Sequence, residues 1–221
     1  MRKITYKESI TEAIKQSMQI DKSIFVYGPG VDDADGIFGT GVGLSKFFGN
    51  ERVFDVPVSE NALTGIAIGS ALTGMKPILV HQRIDFTLLT LDQIINHASK
   101  MRYMFGGAVS VPMVIRAIVG RGWGQGSQHT QSFHSLFAHF PGLKVVLPSN
   151  AKDAKGLLIE SIRDKNPVIF IEHKFLMNTK SDVPKKVYSI KLGKGRKVLK
   201  GNDITIVAYS LMVEESLKAA N

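Results

Sequence analysis

The sequence predicts an α/β protein: a three-layer domain on a mostly parallel sheet, followed by the truncated start of a second α/β domain. Three observations predict it. Short apolar runs that read as strands alternate with longer segments of helical period. Glycine-rich loops follow two of those strands. The chain has 221 residues, 44 % hydrophobic and 21 % charged, which is ordinary globular composition with enough length to bury a substantial core.

In chain order, Thr5 to Met18 carries a helical period in Ile10, Ala13, Ile14 and Met18. Ile24 to Gly28 is a short buried strand running into a loop, Pro29 to Gly43, that holds five glycines and Asp32, Asp33 and Asp35. Leu44 to Gly49 suggests a short helix and turn. Arg52 to Glu60 alternates and is rich in Val and Phe, so it reads as a strand, and an apolar helix follows from Asn61 to Gly74. Lys76 to His81 is another strand. Asp85 to Phe105 predicts one long amphipathic helix with Leu88, Leu91, Ile94, Ile95, Ala98, Met101 and Tyr103 towards the core. Pro112 to Arg116 is a strand, and Gly120 to Gly126 is a loop with four glycines. Strands at Lys144 to Pro148 and Val168 to Glu172 flank a helix from Ala151 to Arg163.

The domain organisation follows: residues 1–173 form the main α/β domain, 174–200 a basic connector, and 201–221 the beginning of a second unit. In that last piece Asp203 to Tyr209 reads as a buried strand and Val213 to Ala220 as the start of a helix. One strand and part of a helix bury no core of their own.

Charge and composition narrow the function. Lys and Arg number 28 against 19 acids, a net +9, but nine of the basic residues and only Asp182 among the acids lie between Lys174 and Lys200, so that segment carries +8 and the rest +1. These lysines are scattered among Pro, Ser, Gly and Val without the interleaved aromatics of a nucleic-acid surface, so no nucleic-acid partner is expected. There is no cysteine, which excludes disulfides, thiol catalysis and thiolate metal sites. No apolar run reaches the length of a membrane span and the N-terminus lacks a signal core, so no membrane partner and a cytoplasmic location are expected.

Few residues stand out as carriers of chemistry. Glu60 closes an apolar strand and opens a small-residue helix; such a carboxylate is either a helix-start acid favoured by the dipole or a ligand-facing group at a strand's carboxyl end. Gly39-Thr40-Gly41-Val42-Gly43 lacks dinucleotide spacing and no Gly-Lys-Ser/Thr occurs, so it is a turn before it is a phosphate cradle. Gly122-Trp123-Gly124-Gln125-Gly126-Ser127-Gln128-His129 is a flexible loop ending in polar groups and a histidine, as an active-site rim would be. His134 and His139 have no third ligand in register for zinc. Ser127, Ser132 and Ser135 lack a nucleophile elbow.

A resemblance covers the chain from about Thr5 onward. Phe54-Asp55-Val56-Pro57-Val58-Ser59-Glu60, Asp92-Gln93-Ile94-Ile95-Asn96-His97-Ala98-Ser99-Lys100-Met101-Arg102-Tyr103-Met104, Gln128-His129-Thr130-Gln131-Ser132, Pro141-Gly142-Leu143-Lys144-Val145-Val146, Asp153-Ala154-Lys155-Gly156-Leu157-Leu158 and Ile162-Arg163-Asp164-Lys165-Asn166-Pro167-Val168 occur in that order. Together they resemble the β subunit of the first, decarboxylating component of 2-oxo acid dehydrogenase complexes, pyruvate dehydrogenase among them. That family is transketolase-like, and the resemblance implies the thiamine diphosphate pyrimidine-binding fold. It implies that Glu60 hydrogen-bonds the aminopyrimidine ring of thiamine diphosphate, so that the cofactor's own amino group activates the thiazolium carbon for attack on a 2-oxo acid. It further implies that His129 assists acyl transfer to a lipoyl group, and that Phe86 and Val58 contact the cofactor.

No Gly-Asp-Gly with a downstream Asn, the family's diphosphate and magnesium motif, occurs in this chain. The resemblance assigns that half-site to an α subunit, in a heterotetramer with a β–β contact and a lipoyl acyltransferase component as partner. It also implies a potassium ion near Ser161, Asp164 and Asn166, bound largely through backbone oxygens. Departures from the family pattern cluster at the rim: Gly28-Pro29-Gly30-Val31 lacks the usual acids, Leu89 replaces a commonly polar residue, and His81 and Arg83 are unusual. Those departures keep open a thiamine diphosphate lyase or carboligase subunit for another 2-oxo acid, and the truncated second domain keeps open a noncatalytic interaction subunit of the same fold.

Overall fold

Helix α1 (Tyr6–Ile20) follows a short strand, β1 (Arg2–Thr5), and its start is set by a capping box. Thr5 Oγ1 accepts from the Glu8 backbone N–H, and the Glu8 carboxylate accepts from the Thr5 N–H at 2.7 Å, so orphan donors of the first turn are answered locally. The apolar stripe then buries Tyr6, Ile10, Ala13, Ile14 and Met18, each large one contributing about 1.5–3 kcal/mol on burial. The computed structural model describes residues 2–33, 36–122 and 124–220. Asp35 and Trp123, both in the glycine-rich loops, lie outside the described residues.

The remaining elements are β2 (Ile24–Tyr27), α2 (Leu44–Phe48), β3 (Val53–Phe54), α3 (Glu60–Leu72), β4 (Lys76–His81), α4 (Ile84–Thr87), α5 (Ser99–Met104), β5 (Val114–Val119), α6 (His134–His139), β6 (Lys144–Val146), α7 (Ala151–Arg163), β7 (Val168–His173), β8 (Lys180–Val183) and α8 (Leu211–Ala220). Six strands form one sheet in the order β3-β2-β4-β5-β7-β6, every neighbouring pair parallel. Strand residues alternate between two cores. Ile24, Val26, Ile78, Val80, Val114, Ile118, Val168 and Phe170 join α1 and α7 on one face. Phe25, Tyr27, Leu79, Ile115, Ala117, Val119, Ile169 and Ile171 join α3 and the helical segment after β4 on the other. The result is the three-layer parallel-sheet architecture the sequence predicts.

Four expectations are corrected. The long helix after β4 is a succession of pitches: α4, a 3₁₀ turn at Leu88–Thr90, a π segment at Asp92–Ala98 and α5. An amphipathic pattern does not distinguish these. Tyr103, read as a core position, is 89 % exposed, because the changes of pitch rotate the last turn away from the sheet. The strand expected over 52–60 pairs only at Val53 and Phe54, since β2 turns away at Gly28 and offers no further ladder. Residues 203–209 are neither buried nor in a sheet: Ile204, Ile206 and Val207 are exposed, and among the described residues no strand pairs with them.

The basic segment is docked at its near end. Lys180–Val183 forms β8, which pairs antiparallel with β1. Lys155 of α7, fully buried, donates to the carbonyls of Pro184, Lys185 and Lys186 and to Glu12 at 2.6 Å. No helix among the described residues is long and apolar enough to cross a membrane.

Candidate functional site

The connections out of the sheet diverge at one place. From β2 the chain passes outward to β3, whereas from β4 it passes to β5 on the other side, so a crevice opens at the carboxyl ends of β2 and β4. Open α/β sheets bind ligands at such a switch point. The close approach there needs a glycine: Gly28, at φ 149°, would place a Cβ 2.3 Å from the Val80 carbonyl oxygen. Gln82 then bridges the two loops, donating from Nε2 to the Pro29 carbonyl at 3.2 Å.

An open cleft of about 290 Å³ lies at this crevice, lined by Pro29, Val58, Glu60, His81, Gln82, Phe86 and Leu89. The lining comes from the loops after β2, β3 and β4, residues far apart in sequence that the parallel sheet gathers at one edge. Glu60 is the first residue of α3 and only 7 % exposed, yet its carboxylate has no hydrogen-bond or ion-pair partner among the described residues. The helix dipole eases a negative charge there but does not replace a partner. Val58 and Leu89 are exposed apolar walls, at 75 % and 65 %. Phe86 is half-buried beside them.

His81 ends β4 on the same face as Leu79, the face on which α3 packs. It is buried, and burial pushes its pKa down to about 4, so the ring is neutral at ordinary pH. Its Nδ1 lies 2.9 Å from Thr87 Oγ1 and its Nε2 has no partner. The Thr87 hydroxyl has no other acceptor among the described residues, which assigns it as donor to Nδ1 and leaves the proton on Nε2.

His129 comes to the cleft from the glycine-rich loop after β5. Its ring meets Phe86 edge to face, with centroids 5.2 Å apart and planes at 88°, and its Nδ1 is buried without a partner. Glu60, Val58 and Phe86 therefore share one cleft and His129 reaches it through Phe86. Ser161, in the last turn of α7, and Asp164 and Asn166, in the connection to β7, lie elsewhere, at the amino end of β7 and away from the carboxyl strand ends that form the cleft. There Asp164 is answered by Lys144 and accepts from the Asn166 N–H and side chain at 2.9 and 3.0 Å, while Ser161 Oγ donates to the Leu157 carbonyl. Among the described residues no group of three or more His, Cys, Asp or Glu could hold a metal ion.

The sequence already places His81 and Arg83 at the rim, whereas the contact between Asp85 and Gln131, 46 residues apart, leaves no local signature.

Comparisons with known proteins bear on the family and the fold. The profile of the family described as transketolase, pyrimidine binding domain, matches residues 2–180. The β subunit of acetoin:2,6-dichlorophenolindophenol oxidoreductase from Cupriavidus necator is 45 % identical over 99 % of this chain and 68 % of its own length. The β subunit of the pyruvate dehydrogenase E1 component from Bacillus subtilis is 39 % identical over 100 % of this chain and 68 % of its own length. Among solved structures, a split-gene transketolase, an inactive β4 tetramer, superposes with a TM-score of 0.76 at 20 % identity, covering 98 % of this chain and 66 % of that one.

Proposed function

The chain belongs to the transketolase pyrimidine-binding domain family, and from that premise we propose that it is the β subunit of a thiamine diphosphate-dependent dehydrogenase acting on a 2-oxo acid of the pyruvate type. The observation that carries the reading is Glu60: a residue nine-tenths buried whose carboxylate, without a protein partner, lines the cleft at the switch point of a parallel sheet. Its carboxylate faces the open cleft, where a ligand rather than the protein can supply the missing partner. A flat ring with a nitrogen at its edge fits beside it, because Val58, Phe86 and Leu89 offer apolar surface around the one carboxylate.

Thiamine diphosphate, when bound, supplies the electron sink that lets the bond next to a ketone break. This chain's residues do the rest of their half. Glu60 holds a proton at the ring nitrogen, Phe86 and Val58 orient the ring and exclude water, and His129 stands at the rim for acyl transfer to a lipoyl carrier. The diphosphate and magnesium belong to an α subunit, in a heterotetramer with a β–β contact and a lipoyl acyltransferase component as partner. A potassium ion near Ser161, Asp164 and Asn166 is part of the proposal through backbone oxygens only, since Lys144 already answers the Asp164 carboxylate. The proposed compartment is the cytoplasm. Residues 201–221 are proposed as the start of a second domain.

A second reading concerns the substrate. Among the described residues the cleft lining contains one carboxylate and no cation, and His81 is neutral. A neutral hydroxyketone suits that lining better than an anionic 2-oxo acid, and the relative at 45 % identity is named as an acetoin oxidoreductase subunit. The test is a panel of 2-oxo acids and acetoin given to the chain reconstituted with an α-type subunit and thiamine diphosphate. Carbon dioxide release and lipoyl acylation are followed separately. Carbon dioxide from pyruvate-type acids supports the first reading, and turnover of acetoin alone supports the second. Turnover of nothing, with the complex formed, supports a noncatalytic subunit.

A further inference from the structure

Segment 83–86 touches the glycine-rich loop after β5 at three points. At the loop's entry, Arg83 Nη2 donates to the Gly120 carbonyl at 2.8 Å, from a side chain only 2 % exposed. At its exit, Asp85 Oδ1 accepts from Gln131 Nε2 at 2.8 Å and from the Gln131 backbone N–H at 3.4 Å. Next to Asp85, Phe86 meets the ring of His129. Between the two stems run Gly120, Gly122, Gly124 and Gly126, all at positive φ. Such a run keeps a large conformational freedom unless its ends are fixed.

Asp85 is built to fix one end. It is 8 % exposed and sits 3.8 Å from the Arg83 guanidinium, which offsets its charge without occupying Oδ1. A carboxylate acceptor makes a stronger hydrogen bond than a neutral one. The exit stem is only two residues beyond His129, so the angle of that ring over the cleft depends on the Gln131 contact. Among the described residues no other side-chain hydrogen bond ties residues 127–131 to the sheet: Thr130 bonds back only within its own loop, to Gly126 and Ser127.

We propose that Asp85 is a positioning residue: through Gln131 it holds the exit stem of the 120–131 loop, and so delivers His129 against Phe86 at the mouth of the cleft. Arg83 holds the entry stem, and the pair makes a two-point clamp around the glycine run. The role assigned to His129 rests on the reading of the site given above; the clamp does not.

The test is a rescue series in the full chain assembled with its α-type partner: Gln131→Leu, Gln131→Glu, Asp85→Asn and the double variant Asp85→Asn/Gln131→Glu. Gln131 is exposed, so its variants leave the core intact. Two readouts are taken. One is the rate of limited tryptic cleavage after Arg121, an exposed loop residue, relative to cleavage elsewhere. The other is lipoyl acylation as a kcat against KM split. Loss of a charge-assisted hydrogen bond should speed cleavage at Arg121 about fivefold to tenfold in Gln131→Leu, and more in Gln131→Glu, where two carboxylates face each other. The double variant, which restores an amide–carboxylate pair, should return the rate towards wild type. Acylation should lose kcat with KM nearly constant and recover in the same order. Unchanged cleavage in all four variants, or no recovery in the double variant, overturns the clamp. Cleavage that follows the series in an assembly with no acylation by the wild type upholds the clamp and removes the functional reading of His129.

Discussion

The two faces of the sheet handle buried charge in opposite ways. On the face covered by α1 and α7, charge is answered in full. Arg116 of β5 meets Glu172 of β7 through two bonds of 2.6 and 3.0 Å and donates to Thr40 at 2.8 Å, and Lys155 meets Glu12 and three carbonyls. The Tyr6 hydroxyl on that face lacks a partner, but it stays neutral: burial and then Glu172 push its pKa well up. On the face covered by α3, the Glu60 carboxylate has no hydrogen-bond or ion-pair partner among the described residues and the neutral His81 has none at Nε2, while Asp85 is offset by Arg83 and accepts from Gln131. Answered charge fixes the register of strands and connector. The proposed function assigns the unanswered Glu60 carboxylate at the switch point to a bound ligand.

The contrast can be broken most severely at Arg116. Arg116→Leu leaves the Glu172 carboxylate buried and alone, which should lower unfolding stability by about 3–5 kcal/mol in urea titration. A loss near zero would mean that water reaches Glu172 and that the two faces do not differ.

His81 gives the next largest effect. Its pKa is lowered by burial to about 4 from the ordinary 6.5, so the unfolded chain takes up a proton before the folded one does. The stability it contributes is full above about pH 6.5 and is lost as pH falls towards 4, a change of about 3 kcal/mol. Urea midpoints of wild type and His81→Phe, followed from neutral pH downward, should diverge over that window. Parallel curves would show that the site is wetter than its burial implies.

The smallest effect lies on the answered face, at the helix cap. Thr5→Ala removes the capping box of α1 and should cost about 1 kcal/mol by thermal or urea denaturation, with catalysis by the assembled enzyme unchanged.

The parts of this contrast differed in how far the sequence disclosed them. Helix α7 was legible at both ends because Asn150 caps it and its apolar period is regular, and Lys76–His81 was legible as a continuous apolar run. Glu60 was legible as a carboxylate at a strand end, but its lack of a partner depends on what surrounds it in space. The pairing of β1 with β8 was not legible, since Lys180–Val183 lies in a basic stretch without period and its partner is at the other end of the chain. Residues 203–209 have strand composition but no neighbouring strand, and composition does not report neighbours. The Asp85–Gln131 contact joins residues 46 apart and has no local signature.

The proposed function requires that the unanswered carboxylate on the α3 face serve catalysis rather than folding. The direct test is Glu60→Gln in the chain assembled with its α-type subunit, comparing thiamine diphosphate-dependent substrate cleavage with urea stability. Turnover should fall by about a hundredfold to ten-thousandfold while the unfolding midpoint stays at or above wild type. Turnover retained within a few-fold, or a midpoint that drops as far as that of Arg116→Leu, would contradict it.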